Sequence, residues 1–198
     1  MAEEQVKKIV EEIHGSPPQA VVAVAGAGSQ AVAWLLGVAG ASRTLLEVLV
    51  PYGRLSMIDF LGHELAQFVS AEAAGDMASA AYRRAVKLRE SGQPALGLAC
   101  TATIATDRTK RGEHRAYVAT WDPSGCMVYS LHLHKGLRDR EGEEELVSLL
   151  LIQALAEASG IGQGSGPESH FSLGLKENDG LERLWTGHPE PIELLLEG

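Results

Sequence analysis

Residues 20–37, which read AVVAVAGAGSQAVAWLLG, decide the fold class of this 198-residue chain. The stretch opens with a Val-rich apolar run, Ala20–Ala25, that suits a strand buried on both faces. A glycine turn follows at 26–29, and Gln30–Gly37 then forms a predicted helix. A buried strand, a tight turn and a helix in this order are typical of a parallel α/β domain.

The same kind of pattern continues along the chain. Further apolar runs predict buried strands, and two alternating runs joined by Asp122–Gly125 predict a β-hairpin. The predicted strands are 45–50, 95–101, 113–121 and 126–134, and the other predicted helices are 3–14, 56–65, 70–90 and 143–159. We therefore expect an α/β fold, a three-layer α/β/α sandwich with a mixed, mostly parallel sheet.

Charge and composition limit the class of protein. The chain has 17 Lys and Arg residues against 26 Asp and Glu residues, a formal net charge of −9. Such a chain is not a general binder of nucleic acids or anionic membranes, because both require a basic surface. No apolar run approaches the roughly 20 residues that a membrane span needs. Two cysteines, Cys100 and Cys126, do not form a disulfide framework, so we expect a cytoplasmic location.

The composition changes after residue 160. Gly160–Pro167 is rich in glycine and typical of a linker. Beyond it the chain is polar, apart from an apolar cluster at Ile192 and 194–196. We expect one domain over 1–160, and a linker with a short helical tail over 161–198 that docks on the domain or on a partner protein.

The glycine turn is the first candidate site. Gly26, Gly28 and Ala31 fit the G-x-G-x-x-A pattern, in which glycines let a phosphate approach the backbone and a helix N-terminus supplies free N–H groups. The acidic residue expected at the end of the second strand is missing, since Val50-Pro51-Tyr52 stands there. Three interpretations remain: a dinucleotide site, a simpler anion site that includes Ser29, and a tight turn without a ligand.

A basic loop before the hairpin is the second candidate site. Arg108, Lys110 and Arg111 begin a run of cationic side chains that continues through His114 and Arg115. The loop follows the carboxyl end of a strand, where open α/β sheets bind ligands. It is therefore interpreted either as a contact for phosphate or an acidic partner, or as a solvated loop.

Two other polar motifs receive a structural interpretation. His132 and His134 share one face of a strand, but no cysteine or carboxylate is placed to complete a metal site, so we predict exposed histidines and no metal. The acidic run at 141–145 begins a helix, where negative charge interacts favourably with the helix dipole. We predict that this run caps the helix and takes no part in catalysis.

Several degenerate motifs carry a family resemblance. They are GAS at 40–42, PY at 51–52, VSAE at 69–72, DMA at 76–78, ALGLACTAT at 95–103, AYVA at 116–119 and RDRE at 138–141. In this order, over residues 19–159, they resemble the C-terminal domain of the competence-induced CinA proteins, the nicotinamide mononucleotide amidohydrolase family. The resemblance implies a CinA-like fold, hydrolysis of a nicotinamide carboxamide without a cofactor, and a homodimer.

The implied activity depends on two positions at which this chain differs. In the family, a serine in a Glu-Ser-Cys-Thr-Gly-Gly turn is the nucleophile, and a lysine beyond the tyrosine activates it. Ala25 and Met57 stand at these positions here. A hydroxyl needs an adjacent base to attack at neutral pH. We therefore expect a degenerate domain that has lost deamidase activity and binds a nucleotide or a protein.

Other residues keep an alternative open. Tyr52, Thr101 and Arg140 match family positions that can hold a nucleotide, and Ser29 lies four residues after Ala25. An active amidohydrolase on nicotinamide mononucleotide or a related nucleotide would require Ser29, Tyr52 and Thr101 to converge on one pocket. A third interpretation is an assembly subunit that docks on a larger complex through its tail.

The chain also resembles the amino-terminal part of plant and algal proteins in which such a domain precedes a nucleotidylyltransferase. The stretches VEEIHGSPPQAVV at 10–22 and KRGEHR at 110–115 carry this likeness. The His-x-Gly-His motif of the transferase does not occur in these 198 residues. We expect either a free-standing version of the domain or the first module of a longer protein.

Overall fold

The computed structural model describes residues 2–107, 112–161 and 172–186. In chain order, the elements are α1 (Ala2–Gly15), β1 (Gln19–Ala25), α2 (Ser29–Gly37), α3 (Ala41–Thr44), β2 (Leu45–Leu49), α4 (Arg54–Leu61), α5 (Ala71–Leu88), β3 (Ala95–Thr103), β4 (His114–Asp122), β5 (Gly125–Leu133), α6 (Arg140–Ala158) and β6 (Gly180–Thr186). Every predicted strand and helix up to residue 160 is present. The elements that the sequence did not predict are α3 and β6.

The strands form one mixed sheet in the order β2-β1-β3-β4-β5-β6. β1 runs parallel to β2 and β3, and the register places Ala25 beside Thr101. From β3 to β6, neighbouring strands are antiparallel. The predicted α/β fold with a mixed sheet is therefore confirmed, and the carboxyl ends of β1, β2 and β3 meet at one edge of the sheet.

Helices cover both faces of the sheet, as predicted. α1, α2 and α6 pack on the face that includes Val22 and Val24 of β1, which we call the α6 face. α4 and α5 pack on the opposite face, which includes Ala23 and Ala25 and which we call the α5 face. The side chains of β1 alternate between these two layers, because successive residues of a strand point to opposite sides.

α5 lies close to the sheet because its buried side is made of small residues. Its N-cap is Ser70, as predicted, whose Oγ accepts a hydrogen bond from the Ala73 N–H at 3.0 Å. At Gly97 of β3, an added Cβ would lie 2.1 Å from the carbonyl oxygen of Ala78. Only glycine fits at that crossing, so Gly97 allows α5 to pack directly across β3.

β6 lies within the segment that the sequence predicts to be linker and tail. Asp179 anchors it: the carboxylate accepts hydrogen bonds from the Arg138 guanidinium at 2.7 Å and from the N–H groups of His134 and Lys176. Burial raises the pKa of Asp179, but these donors outweigh it and hold the pKa below its usual value. The apolar cluster at Ile192 and 194–196 lies outside the described residues, so tail docking stays a prediction.

Candidate functional site

The glycines of the turn after β1 are required by packing. Gly26 and Gly28 have φ angles of +88° and +100°, in the left-handed region that favours glycine. An added Cβ would lie 2.0 Å from the Ala102 carbonyl oxygen at Gly26, and 2.4 Å from Leu151 Cδ1 at Gly28. The close approach of β3 and α6 therefore explains both glycines without a ligand.

The N-terminus of α2 is occupied by a carboxylate of the chain itself. Glu144 of α6 places Oε1 where it accepts hydrogen bonds from the N–H groups of Gly28 at 3.0 Å, Ser29 at 2.6 Å and Gln30 at 3.2 Å. It also accepts the Ser29 hydroxyl at 2.8 Å. Negative charge at a helix N-terminus interacts favourably with the helix dipole. The anion predicted for this turn is thus supplied from within the protein.

A pocket beside the turn brings together several of the predicted residues. Gly26, Ser29, Tyr52 and Arg140 all contribute to its lining. Its volume of about 210 Å³ is below the roughly 300–1,000 Å³ that is usual for small-molecule pockets. Tyr52 is 70% exposed, and Arg140 donates a hydrogen bond to the Ala105 carbonyl oxygen at 2.9 Å.

Thr101 lies on the other side of the sheet from this pocket. Its neighbours in β3, Cys100 and Ala102, belong to the core of the α6 face, so Thr101 points to the α5 face. There its hydroxyl donates to the Phe68 carbonyl oxygen at 2.5 Å. The structure therefore brings Ser29 and Tyr52 together and leaves Thr101 apart from them.

The two positions where the family resemblance implies a nucleophile and a base lie in one cluster on the α5 face. Ala25 and Met57 belong to one apolar cluster with Leu61 and Ala74, and they are 9% and 4% exposed. Thr101 is the register partner of Ala25. A methyl group and a thioether neither attack a carboxamide nor accept a proton, so this cluster has no nucleophile–base pair at the two positions.

Ser29 does not replace the missing pair as the structure stands. Its hydroxyl is exposed, but it donates to the same Glu144 oxygen that already accepts three backbone N–H groups. If that oxygen took the serine proton, the carboxylate would lose its negative charge, and the three N–H groups at the helix N-terminus would lose their charged acceptor. A serine without a free base is a weak nucleophile.

A second glutamate of α6 holds the base of the loop between β3 and β4. Glu143 is fully buried, and its Oε1 lies 2.8 Å from Nδ1 of His114. Its Oε2 accepts the Ala105 N–H at 2.7 Å. The carboxylate thus joins the start of α6 to both ends of this loop. The predicted phosphate contacts Arg108, Lys110 and Arg111 lie outside the described residues, so they stay predictions.

The sequence interpretation missed the role of these two glutamates. The acidic run was predicted to cap its own helix, but the N-cap is Asp139, whose Oδ1 accepts the Gly142 N–H at 2.9 Å. Glu143 and Glu144 reach to other elements instead. The available signal was their place directly before the largely apolar stretch 146–152 of the helix.

The remaining predictions concern metals and membranes. His132 and His134 are exposed, and the His132 ring meets Tyr117 edge-on at 6.4 Å between ring centroids. In the three described ranges, no group of three or more His, Cys, Asp or Glu residues is arranged to hold a metal ion. No helix of the described part of the chain is long and apolar enough to span a membrane.

Comparison with known proteins finds similarity at the level of solved structures. The competence/damage-inducible protein CihA from Agrobacterium tumefaciens matches with a TM-score of 0.60 at 20% identity, over 81% of this chain and 95% of that one. A CinA-superfamily protein from Klebsiella pneumoniae matches with a TM-score of 0.62 at 12% identity, over 81% and 98% of the two chains. No family model and no curated protein matches this chain. At these identities the similarity shows the fold alone, an α/β fold that this chain shares with these proteins.

Proposed function

We propose that this chain is a CinA-like domain that does not hydrolyse nicotinamide mononucleotide and acts by binding a nucleotide or a protein. The observation that carries the proposal is that Ala25 and Met57 are both buried in one apolar cluster. By the family resemblance, these positions hold the serine nucleophile and its lysine. Here both belong to the apolar core, so the two groups that the hydrolysis needs are replaced by packing.

The arrangement around Ser29 gives independent support. The hydroxyl is held by Glu144, and the carboxylate is held by the N-terminus of α2. Moving Glu144 away to free a base would leave three backbone N–H groups without their partner. Such a rearrangement is costly, because a charge-assisted hydrogen bond contributes about 1.5–3 kcal/mol.

Two of the residues that match nucleotide-binding positions remain accessible. Tyr52 is exposed at the end of β2, and Arg140 contributes to the same pocket as Ser29. The pocket is too small to enclose a whole nucleotide, so a pyridine nucleotide or other phosphate ligand would lie partly in solvent. A cytoplasmic homodimer is part of the proposal and follows from the cysteine content and the resemblance.

The test of the catalytic half is direct. We expect the purified chain to release no ammonia from nicotinamide mononucleotide above a buffer blank, and Ser29→Ala to behave in the same way. Turnover above the blank that Ser29→Ala abolishes would establish the alternative, an active amidohydrolase with a rearranged site. Turnover that survives Ser29→Ala would also overturn the proposal and would place the chemistry elsewhere.

The binding half needs its own measurement. Ligand binding to the folded state raises the melting temperature by mass action. We expect one or more of the pyridine nucleotides to raise it in the wild type, and Arg140→Gln to remove the shift. The matched control is Lys8→Gln on α1, an exposed position outside this pocket. Equal shifts in both variants would show that the pocket of Ser29 is not the binding site.

A further inference from the structure

A second concave surface lies between the end of β2 and the helices α4 and α5. Leu49 and Pro51 contribute from the end of β2, Phe60 from α4 and Ala80 from α5. These apolar residues form the floor of an open groove of about 520 Å³, within the roughly 300–1,000 Å³ of small-molecule sites. The groove shares Val50 with the pocket of Ser29, and its floor residue Ala80 belongs to the apolar cluster of Ala25 and Met57, but its basic residues line neither of them.

The rim of the groove is basic. Arg83, Arg84 and Lys87 contribute to its lining, against one carboxylate, Asp59. With Ala80, the three cations follow positions i, i+3, i+4 and i+7 of α5, so they share one side of the helix. In a chain with a net charge of −9, this is a local excess of positive charge.

Two of these cations have no acidic partner in the described part of the chain. Arg84 is paired with Glu47 of β2. Arg83 is held in place by a hydrogen bond from Nη1 to the Ser79 hydroxyl at 2.9 Å, which leaves other guanidinium N–H groups unengaged. Lys87 is exposed one turn further along α5. Arg83 is therefore oriented by a neutral group and keeps its charge free for a ligand.

We infer that this groove binds a small phosphate monoester whose other part is flat and apolar. A phosphate offers three oxygens and about two negative charges, which suits two separate cations better than a carboxylate does. The Ser56 hydroxyl of α4 is a further donor on the facing wall. The apolar floor then takes the ester group. This inference goes beyond the proposed function and does not depend on it, because a deamidase activity at the other pocket would leave the groove unchanged.

The experiment uses the full chain with phenyl phosphate as the probe. Binding is measured by calorimetry and by changes in amide chemical shifts. We expect saturable binding with shifts centred on α4, β2 and α5, and weaker binding as salt is raised. Phenol lacks the charge and inorganic phosphate lacks the apolar part, so each is expected to bind at least about tenfold more weakly, in line with the contribution of charged contacts and apolar burial.

Variants separate this site from general charge effects. Arg83→Gln and Lys87→Gln each remove one cation of the rim, and we expect each to weaken phenyl phosphate binding about tenfold. Lys7→Gln on α1 makes the same change in net charge at an exposed position outside the groove, and it should have no effect. Arg83→Gln also removes the hydrogen bond to Ser79. Lys87→Gln does not change that contact, so it tests the role of the basic rim separately.

Three results would overturn the inference. The first is no saturable binding of phenyl phosphate. The second is binding that Lys7→Gln weakens as much as Arg83→Gln does, which would show a general charge effect. The third has two parts. Phenyl phosphate leaves the amide chemical shifts of the groove unchanged, and Arg83→Gln abolishes the binding of an acidic peptide or the self-association of the chain. That result would assign the groove to a protein partner.

Discussion

The two faces of the sheet differ sharply where β1 ends. On the α5 face, Ala25 and Met57 lie buried in one apolar cluster. On the α6 face, only four residues further along the chain, Ser29 and Glu144 form a dense set of hydrogen bonds at the N-terminus of α2. The first region is apolar at the two positions where the family resemblance implies a nucleophile and its base, and the second has polar groups that satisfy one another.

The contrast shows why a motif alone does not identify a site. The G-x-G-x-x-A turn has the features of a phosphate loop, with positive φ angles and a helix N-terminus. Each feature is used internally, since the glycines admit β3 and α6 and the N–H groups bind Glu144. α2 is held at its other end as well, because Nε2 of His14 donates to the Leu35 carbonyl oxygen at 2.9 Å.

The largest effect is expected from a substitution in the turn after β1, where Gly26 lies close to the backbone of β3. Gly26→Ala adds a Cβ 2.0 Å from the Ala102 carbonyl oxygen at a φ of +88°. We expect it to lower the free energy of unfolding by about 5 kcal/mol, since backbone strain and overpacking add. The control is Gly62→Ala, with a φ of +81° and nothing within 4 Å of the added Cβ. For the control, urea unfolding should show a loss of about 1–2 kcal/mol in the free energy of unfolding. Equal losses in Gly26→Ala and Gly62→Ala would refute the packing explanation.

The second prediction tests whether the α5 face excludes a charged side chain at Met57. Met57→Lys places an ammonium group at a position that is 4% exposed in an apolar cluster. We expect a loss of about 4 kcal/mol in the free energy of unfolding, because the charge has no partner there. Met57→Leu keeps the volume and should cost under about 1.5 kcal/mol. A stable lysine variant at neutral pH would mean that this face still accommodates a polar site.

The third prediction removes the internal anion of the α6 face. Glu144→Ala leaves three N–H groups without their acceptor, and we expect a loss of about 2–3 kcal/mol. Added sulfate should restore part of that loss, because an anion can then bind at the helix N-terminus. Glu145→Ala, an exposed neighbour, is the control for both measurements. If sulfate stabilises wild type and variant equally, Glu144 does not occupy an anion site.

The smallest expected effect concerns the far end of α2. Burial, with a smaller contribution from Arg43, lowers the pKa of His14 below its usual 6.5, against the opposing hydrogen bond to Leu35. Below pH 6.5 the unfolded chain therefore binds more protons at this histidine than the folded chain does. The free energy of unfolding should fall as the pH falls through that range.

Urea unfolding at several pH values measures this slope. His14→Gln should flatten it, because a glutamine binds no proton in this range of pH. The same slope in wild type and in His14→Gln would assign the acid sensitivity to other groups.

Local signals were enough to predict the fold. Periodicity and caps located every element up to α6 except the short α3, and the Ser70 cap is formed as expected. The candidate site was harder, because its main contacts join residues more than 100 positions apart, such as Ser29 and Glu144. A short strand such as β6 was missed for a related reason: it is held by Asp179 and by pairing with β5, and its own sequence has little apolar periodicity.

β6 also decides what the outer rim of the sheet presents to other molecules in a concentrated solution. It pairs along β5 from Cys126 to His132, so the backbone donors and acceptors of that apolar strand are covered. The covering strand carries Glu182 and Arg183 in its middle, and charges at such a position discourage edge-to-edge pairing of sheets. A version of the chain cut after Gly160 would expose β5 instead, and its first defect would be aggregation rather than loss of binding.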